Sequence, residues 1–167
     1  MATTTTLTET TALRGFRCRA CGELQPADDR YVCALCYGPI EPEYQLASFD
    51  AESLRARIAA GPPSLWRYAP LLPVAEPVSH YAVGWTPLLE APRLGAAIGV
   101  ERLLLKDDTR NPSLSFKDRP VALALARALE LGLDTLACAS TGNLAGAVAA
   151  AAARNGLRAF VFVPATT

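Results

Sequence analysis

From Gly84 onward the apolar residues fall into blocks of two kinds, whose spacing predicts alternating strands and helices. Arg102 to Lys106 is a short apolar run that reads as a strand. Val121, Leu125 and Leu129 recur at i, i+4 and i+8, which puts an apolar face on a helix ending near Gly132. Thr135 to Ala139 is strand-like, and Asn143 to Asn155 is an Ala-rich helix stopped by Gly156. Ala159 to Val163 is an unbroken apolar run of the kind a buried strand shows. Strand, helix and strand at this spacing form a βαβ unit, which implies a parallel sheet. Small side chains on the Ala-rich helix predict close packing against it. The fold class is α/β.

The N-terminal half is patterned differently. Residues 1–15 read as a Thr-rich disordered tail. An organellar transit peptide also fits, because Arg14, Arg17 and Arg19 follow the hydroxyl-rich tract. A secretory signal does not, since no charged start precedes an apolar block. Residues 16–44 hold four of the five cysteines. Residues 45–83 are a helix and a Pro-rich connector: Ser48 can cap a helix over 48–60 whose Leu54 and Ile58 lie at i, i+4, and prolines crowd 61–77. Residues 84–167 carry the strand and helix alternation. There is no internal repeat.

Hydrophobic residues make up 51% of the chain and charged residues 19%, so a buried core is expected. Sixteen basic and sixteen acidic side chains balance, which leaves no footprint for nucleic acid or an anionic membrane. The longest apolar stretches are broken well before spanning length, so no transmembrane helix is expected. A cytoplasmic protein is the expectation. Fourteen of the basic residues are Arg, leaving Lys106 and Lys117 as the candidate catalytic amines.

Cys18-x-x-Cys21 and Cys33-x-x-Cys36 are separated by eleven residues. Paired thiolates at this spacing suit tetrahedral Zn²⁺, and four cysteine ligands leave no open position, so the metal would be structural. Gly22 and Gly38 follow the two pairs and let backbone amides approach the sulfurs. Two disulfides, or four buried thiols without metal, are the alternatives. Cys138 lies mid-strand as a core thiol, and His80, the only histidine, reads as a surface residue.

The stretch Lys106 to Arg119 is the most informative. Asn111-Pro112 breaks the preceding strand, and Ser115-x-x-Asp118 resembles a capping box that puts Lys117 at the start of the next helix. Pro120 is tolerated only in a first turn and agrees. A helix N-terminus disfavours a protonated amine, and a neutral amine is what attacks a carbonyl. A solvated lysine at a helix start is the plain alternative. Ser140-Thr141-Gly142-Asn143 joins the next strand to the Ala-rich helix, either as a cradle for an anion or as an ordinary βα turn.

Together these segments resemble the threonine synthase family, in the tryptophan-synthase-β-like group of pyridoxal-phosphate (PLP) enzymes. The matching stretches are the two cysteine pairs, Leu65 to Pro73, Gly84-Trp85-Thr86-Pro87-Leu88, Lys106-Asp107-Asp108, Asn111 to Arg119, and Ser140 to Asn143. The resemblance implies a four-cysteine zinc-ribbon-like segment followed by the incomplete N-terminal part of a fold type II parallel-sheet domain. It implies that Lys117 forms the Schiff base with PLP, that Asn143 hydrogen-bonds its phenolic oxygen and that Phe116 helps fix the ring. Ser140, Thr141 and Gly142 would receive the carboxylate of a small amino-acid substrate. The family's reaction converts O-phospho-L-homoserine and water to L-threonine and phosphate, and its members suggest a homodimer at full length.

This chain departs from that pattern in places. The family's usual Asn-Pro-Thr-Gly-Ser-Phe-Lys loop here reads Asn111-Pro112-Ser113-Leu114-Ser115-Phe116-Lys117, and Pro120 stands where a small residue is typical. Leu144-Ala145-Gly146 replaces a more polar run. These changes keep open a sister PLP lyase or synthase, of the cysteate synthase or threonine dehydratase type, and a non-catalytic zinc-ribbon fragment. Family members are longer, and their Gly-rich phosphate loop lies beyond the last residue here. A partial chain is therefore expected, with apolar sheet and helix surface exposed.

Overall fold

Cys18 ends the first of three short antiparallel strands, β1 (Leu13–Cys18), β2 (Leu24–Gln25) and β3 (Ile40–Tyr44), in the order β2-β1-β3, and Cys21, Cys33 and Cys36 lie in the segments that connect them. The computed structural model describes residues 12–166 apart from Glu76 and Ser79. Most of the expected disordered tail lies outside them. Its last residues do not read as expected: Ala12 is buried and β1 begins at Leu13.

Helix α1 (Ala51–Ala60) starts later than the 48–60 reading, with Asp50 rather than Ser48 as cap: its carboxylate accepts from the Ser53 amide at 2.7 Å. Leu54 and Ile58 are its half-buried positions, as their spacing implied. The Pro-rich connector is more than a tether. Leu65–Leu71 forms a 3-10 helix, and the buried Trp66 donates its indole N–H to the Tyr81 carbonyl at 3.1 Å. Val74, Val78, Tyr81 and Val83 then enter one core with residues 121–126 and 147–151 of two later helices. The boundary read at residue 83 thus runs through that core.

The strand expected over 102–106 is β5 (Leu104–Lys106), and it pairs antiparallel with β4 (Leu88–Glu90) rather than joining a parallel sheet. Helix α2 (Pro92–Ile98), which periodicity did not reveal, joins the two. The parallel sheet comes later: β6 (Thr135–Ala139) pairs in register with β7 (Arg158–Phe162), from Thr135↔Arg158 to Ala139↔Phe162.

Helix α3 (Asp118–Glu130) precedes β6, and α4 (Asn143–Arg154) crosses between the strands. Val121, Ala122, Leu125 and Ala126 of α3 meet Ala147, Val148 and Ala151 of α4 in the core. Leu129, expected on the same face, is 42% exposed. Each i+4 step drifts about 40° around the helix, so the third member of the series has turned off the seam. Phe160 and Phe162 of β7 are also exposed, at 52% and 63%. The AFVFV run is a strand, but among the described residues β6 and α4 supply its main contacts and leave the rest open. This apolar surface was expected of a partial chain. No helix among the described residues is long and apolar enough to cross a membrane.

Candidate functional site

Lys117 is the N-cap of α3, and the residues around it are held in place one by one. Asn111 is buried: its Oδ1 accepts from the Gly84 amide at 3.0 Å, and its Nδ2 donates to the Asp108 carbonyl at 2.9 Å. The Asp108 carboxylate accepts from Arg119 Nη2 and from the Thr86 hydroxyl, both at 2.7 Å. The Arg119 guanidinium holds the Asp108 carboxyl below the usual carboxylate range, with Thr86 assisting against a smaller desolvation effect. One latch therefore ties 84–86 to the lysine loop.

Asp118 supplies the second anchor. Its buried carboxylate accepts from the Tyr81 hydroxyl at 2.9 Å on one oxygen. The other oxygen accepts from the Ser113 amide at 2.7 Å and the Ser113 hydroxyl at 2.9 Å. Burial and the Asp118 carboxylate both push the Tyr81 phenol up. The expected capping box is therefore not formed as read. Ser115 Oγ accepts from the Lys117 amide at 3.2 Å, two residues on, while Asp118 reaches back to Ser113. The short link between Ser113 and Asp118 is closed by a tight turn in which Leu114 takes a φ of +60°.

The two lysines are placed very differently. Lys106 Nζ donates to the Thr86 carbonyl. Lys117 is exposed, and its amine has no hydrogen-bond or ion-pair partner among the described residues. Phe116 beside it is exposed as well.

The turn after β6 opens α4, which returns the chain to the parallel strand β7. The Ser140 amide continues the ladder to the Phe162 carbonyl at 3.1 Å, and its hydroxyl accepts from the Gly142 amide at 3.2 Å. Gly142 is the N-cap of α4 and brings no side chain, so the first amides of α4, beginning at Asn143, lack a side-chain cap. Thr141 and Asn143 are exposed. Amides at a helix start, beside hydroxyls and an amide side chain, are chemistry for an anion.

The cysteines converge. The Sγ atoms of Cys18, Cys21, Cys33 and Cys36 all lie within 4.8 Å of one another, with Cys18 to Cys36 at 3.5 Å and Cys21 to Cys33 at 3.7 Å. A tetrahedral site of four sulfurs with bonds of about 2.3 Å needs those sulfurs about 3.8 Å apart. All five cysteines are free thiols, which leaves the disulfide alternative without support. The two pairs have near-identical backbones: the amide after each second cysteine returns to the carbonyl of the first, Gly22 to Cys18 at 3.1 Å and Tyr37 to Cys33 at 3.0 Å. Both residues have positive φ, +77° and +56°. Gly38 is needed for room, since a Cβ there would stand 3.1 Å from Cys18 Sγ and 3.2 Å from Cys36 Sγ. The crowding splits the thiols. Burial pushes Cys33 up, but N–H groups of Cys36 and Leu35 and neighbouring thiols draw it down to about 6. On Cys36 the Gly38 amide is outweighed by the other thiols, and it is pushed up to about 12. This donor set fits a thiophilic cation.

Sequence reasoning missed Tyr81, Asp118, Asp108 and Arg119 as structural anchors. Asp108, Arg119 and Asp118 stand inside stretches it singled out, but nothing there indicated their partners. Tyr81 gave no signal. Cys138 is half-buried against the core, and His80 is exposed with Nε2 2.6 Å from Asn155 Oδ1.

Comparison with known proteins adds to this geometry. The family described as "Pyridoxal-phosphate dependent enzyme" matches residues 80–167. A threonine synthase from Methanosarcina acetivorans is 40% identical over 153 residues, covering 90% of this chain and 37% of that protein. A threonine synthase from Methanocaldococcus jannaschii is 32% identical over 150 residues, again covering 37% of its length. One from Synechocystis sp. is 47% identical over 100 residues, or 58% of this chain. The chain therefore spans little more than a third of the length of the first two relatives.

Proposed function

This chain belongs to the pyridoxal-phosphate dependent enzymes, and on that premise we propose that it is the lysine-bearing part of a fold type II threonine synthase. The reaction would convert O-phospho-L-homoserine and water to L-threonine and phosphate. The observation that carries the reading is the contrast between the two lysines: Lys106 is tied to Thr86, while Lys117 presents an unpartnered amine from an anchored loop.

Bound there, PLP supplies an electron sink for carbanions. Lys117 is the residue that would hold it, with Phe116 beside the ring and the Asn143 amide on a ring oxygen. The uncapped start of α4 would receive the substrate carboxylate through Ser140, Thr141 and Gly142. Lys117 Nζ, once released, would take and return protons at the substrate carbons as base and acid. Asp118, Tyr81, Asn111 and Arg119 touch none of these atoms in this reading, and their part is to keep the amine in position. The cysteine cluster would hold one structural zinc. The reading brings with it a small amino-acid substrate, a cytoplasmic setting and a homodimer at full length.

The test is to mix the chain with PLP, reduce with borohydride and map the pyridoxyl adduct by peptide mass spectrometry. We expect one adduct, on Lys117, lost in Lys117→Ala. Equal labelling of Lys106, or no adduct, would sink the assignment. A sister enzyme acting on another amino acid has one point in its favour, Leu114 and Ser113 in the lysine loop. Turnover of O-phosphohomoserine by the full-length enzyme decides between them.

A further inference from the structure

The cysteine cluster is joined to the lysine-bearing helix by a run of polar contacts. Gln25 is 5% exposed, and both ends of its amide are used. Its Oε1 accepts from the Ala34 amide at 3.0 Å and from Arg30 Nη1 at 2.8 Å. With two donors on that side the amide cannot be flipped, so its Nε2 must face Cys33 Sγ, at 2.8 Å. Arg30 in turn is fixed by the Asp28 carboxylate, with Nε to Oδ1 at 2.6 Å. The same short segment turns its carbonyls outward. Arg127 Nη2, in the last turn of α3, donates to the Asp28 carbonyl at 2.7 Å and the Ala27 carbonyl at 3.4 Å. Arg127 also pairs with Glu130 at 2.8 Å, and Glu130 accepts from the Ala75 amide at 2.5 Å.

We propose that Gln25 and Arg127 are positioning residues that couple filling of the cysteine cluster by a thiophilic divalent cation to ordering of the last turn of α3. The inference rests on the zinc reading given above. Metal binding releases the thiol protons, and the N–H···S contact from Gln25 becomes charge-assisted. That fixes Gln25, and Gln25 fixes Arg30 and the turn at Asp28. The turn then offers its carbonyls to Arg127 in a set geometry. Coupling of this kind is reciprocal, so whatever weakens the Arg127 contact must also weaken metal binding.

The experiment uses the reduced, metal-free full chain, titrated with zinc against a chromophoric chelator. Hydrogen exchange of residues 127–131 is followed with and without zinc. In the parent protein we expect one zinc per chain and slower exchange in the last turn of α3 when zinc is present. Arg127→Lys keeps a charge for Glu130 but cannot span two carbonyls. It should still bind one zinc, with affinity reduced about fivefold, and lose the exchange response. Gln25→Leu should weaken zinc about tenfold. If it fails to fold, Arg127→Lys still decides. One zinc bound with no effect on α3, or an unchanged response in Arg127→Lys, overturns the coupling and leaves the zinc reading standing. No stoichiometric zinc in the reduced parent overturns both.

Discussion

Between Cys18 and Tyr44 the buried residues are Cys18, Gln25 and Cys33, a set with almost no aliphatic volume. Between Trp66 and Ala152 the buried apolar set is Trp66, Tyr81, a group of valines, Leu125 and a series of alanines, with Thr86, Asn111, Ser115 and Asp118 buried among them. The first region holds its shape through convergent donors, and the second through apolar area removed from water. In spite of this contrast, both fix their most reactive residues with a buried polar side chain satisfied at both ends. Gln25 does so beside the thiols and Asp118 beside the lysine. Ordering a loop costs entropy, and a saturated buried polar group returns the free energy only in one geometry.

The strongest way to break the comparison is to compare the chain with zinc and with a chelator, since the cysteine cluster is proposed to hold one zinc. If the cysteine region lacks an apolar core, a chelator should abolish exchange protection across 16–44 while β6, α4 and β7 keep theirs. The free energy at stake for a structural zinc is on the order of 10 kcal/mol. Equal protection in both states would show that the thin core suffices. Next in size is Asp118→Ala, which strands the Tyr81 hydroxyl and the Ser113 amide. It should cost about 3 kcal/mol by denaturant midpoint, and a loss under about 1 kcal/mol would demote Asp118 to a bystander. Tyr81→Phe, which removes one of the contacts, should cost about 1 kcal/mol.

Leu114→Gly works in the opposite direction. Leu114 has a φ of +60° and is 73% exposed, so little packing is lost while a left-handed strain of about 1–2 kcal/mol is relieved. Glycine's larger unfolded-state entropy offsets part of this. A net gain of up to about 1 kcal/mol, read as a higher melting temperature, is expected.

The smallest effect is one of pH. Asp108 has its folded pKa depressed, chiefly by Arg119. Its contribution is therefore fully present above the unfolded carboxylate value of about 4 and is lost as pH falls through the folded value. Protection of the Gly84 amide, relative to its intrinsic exchange rate, should fall in that acid window, and Asp108→Asn should remove that pH dependence. A profile that stays flat from neutral pH to about pH 2 would contradict the latch.

The parts legible in the sequence were those with local signals. Cysteine spacing, the Ala-rich run of α4 with its Gly156 stop and the limits of β6 depend on neighbours within a few residues. The parts that stayed hidden depend on distant partners. Val74, Val78 and Val83 belong to an irregular segment with no period to detect, and only the core they meet explains them. Asp118 reads as a helix-start acid until Tyr81, 37 residues earlier, is seen to point at it. Strands of three residues such as β4 and β5 have too few positions to reveal a partner or a direction. The run over β7 was read correctly as a strand and wrongly as buried, because hydrophobicity reports what a strand prefers to touch and not what is there.

Lys117 contributes no side-chain bond to the loop that carries it. Its neighbours set the backbone, so the seat and the tool are separate parts. Lys117→Ala should therefore leave the seat intact, so that the loss of the amine can be read apart from any change in the fold.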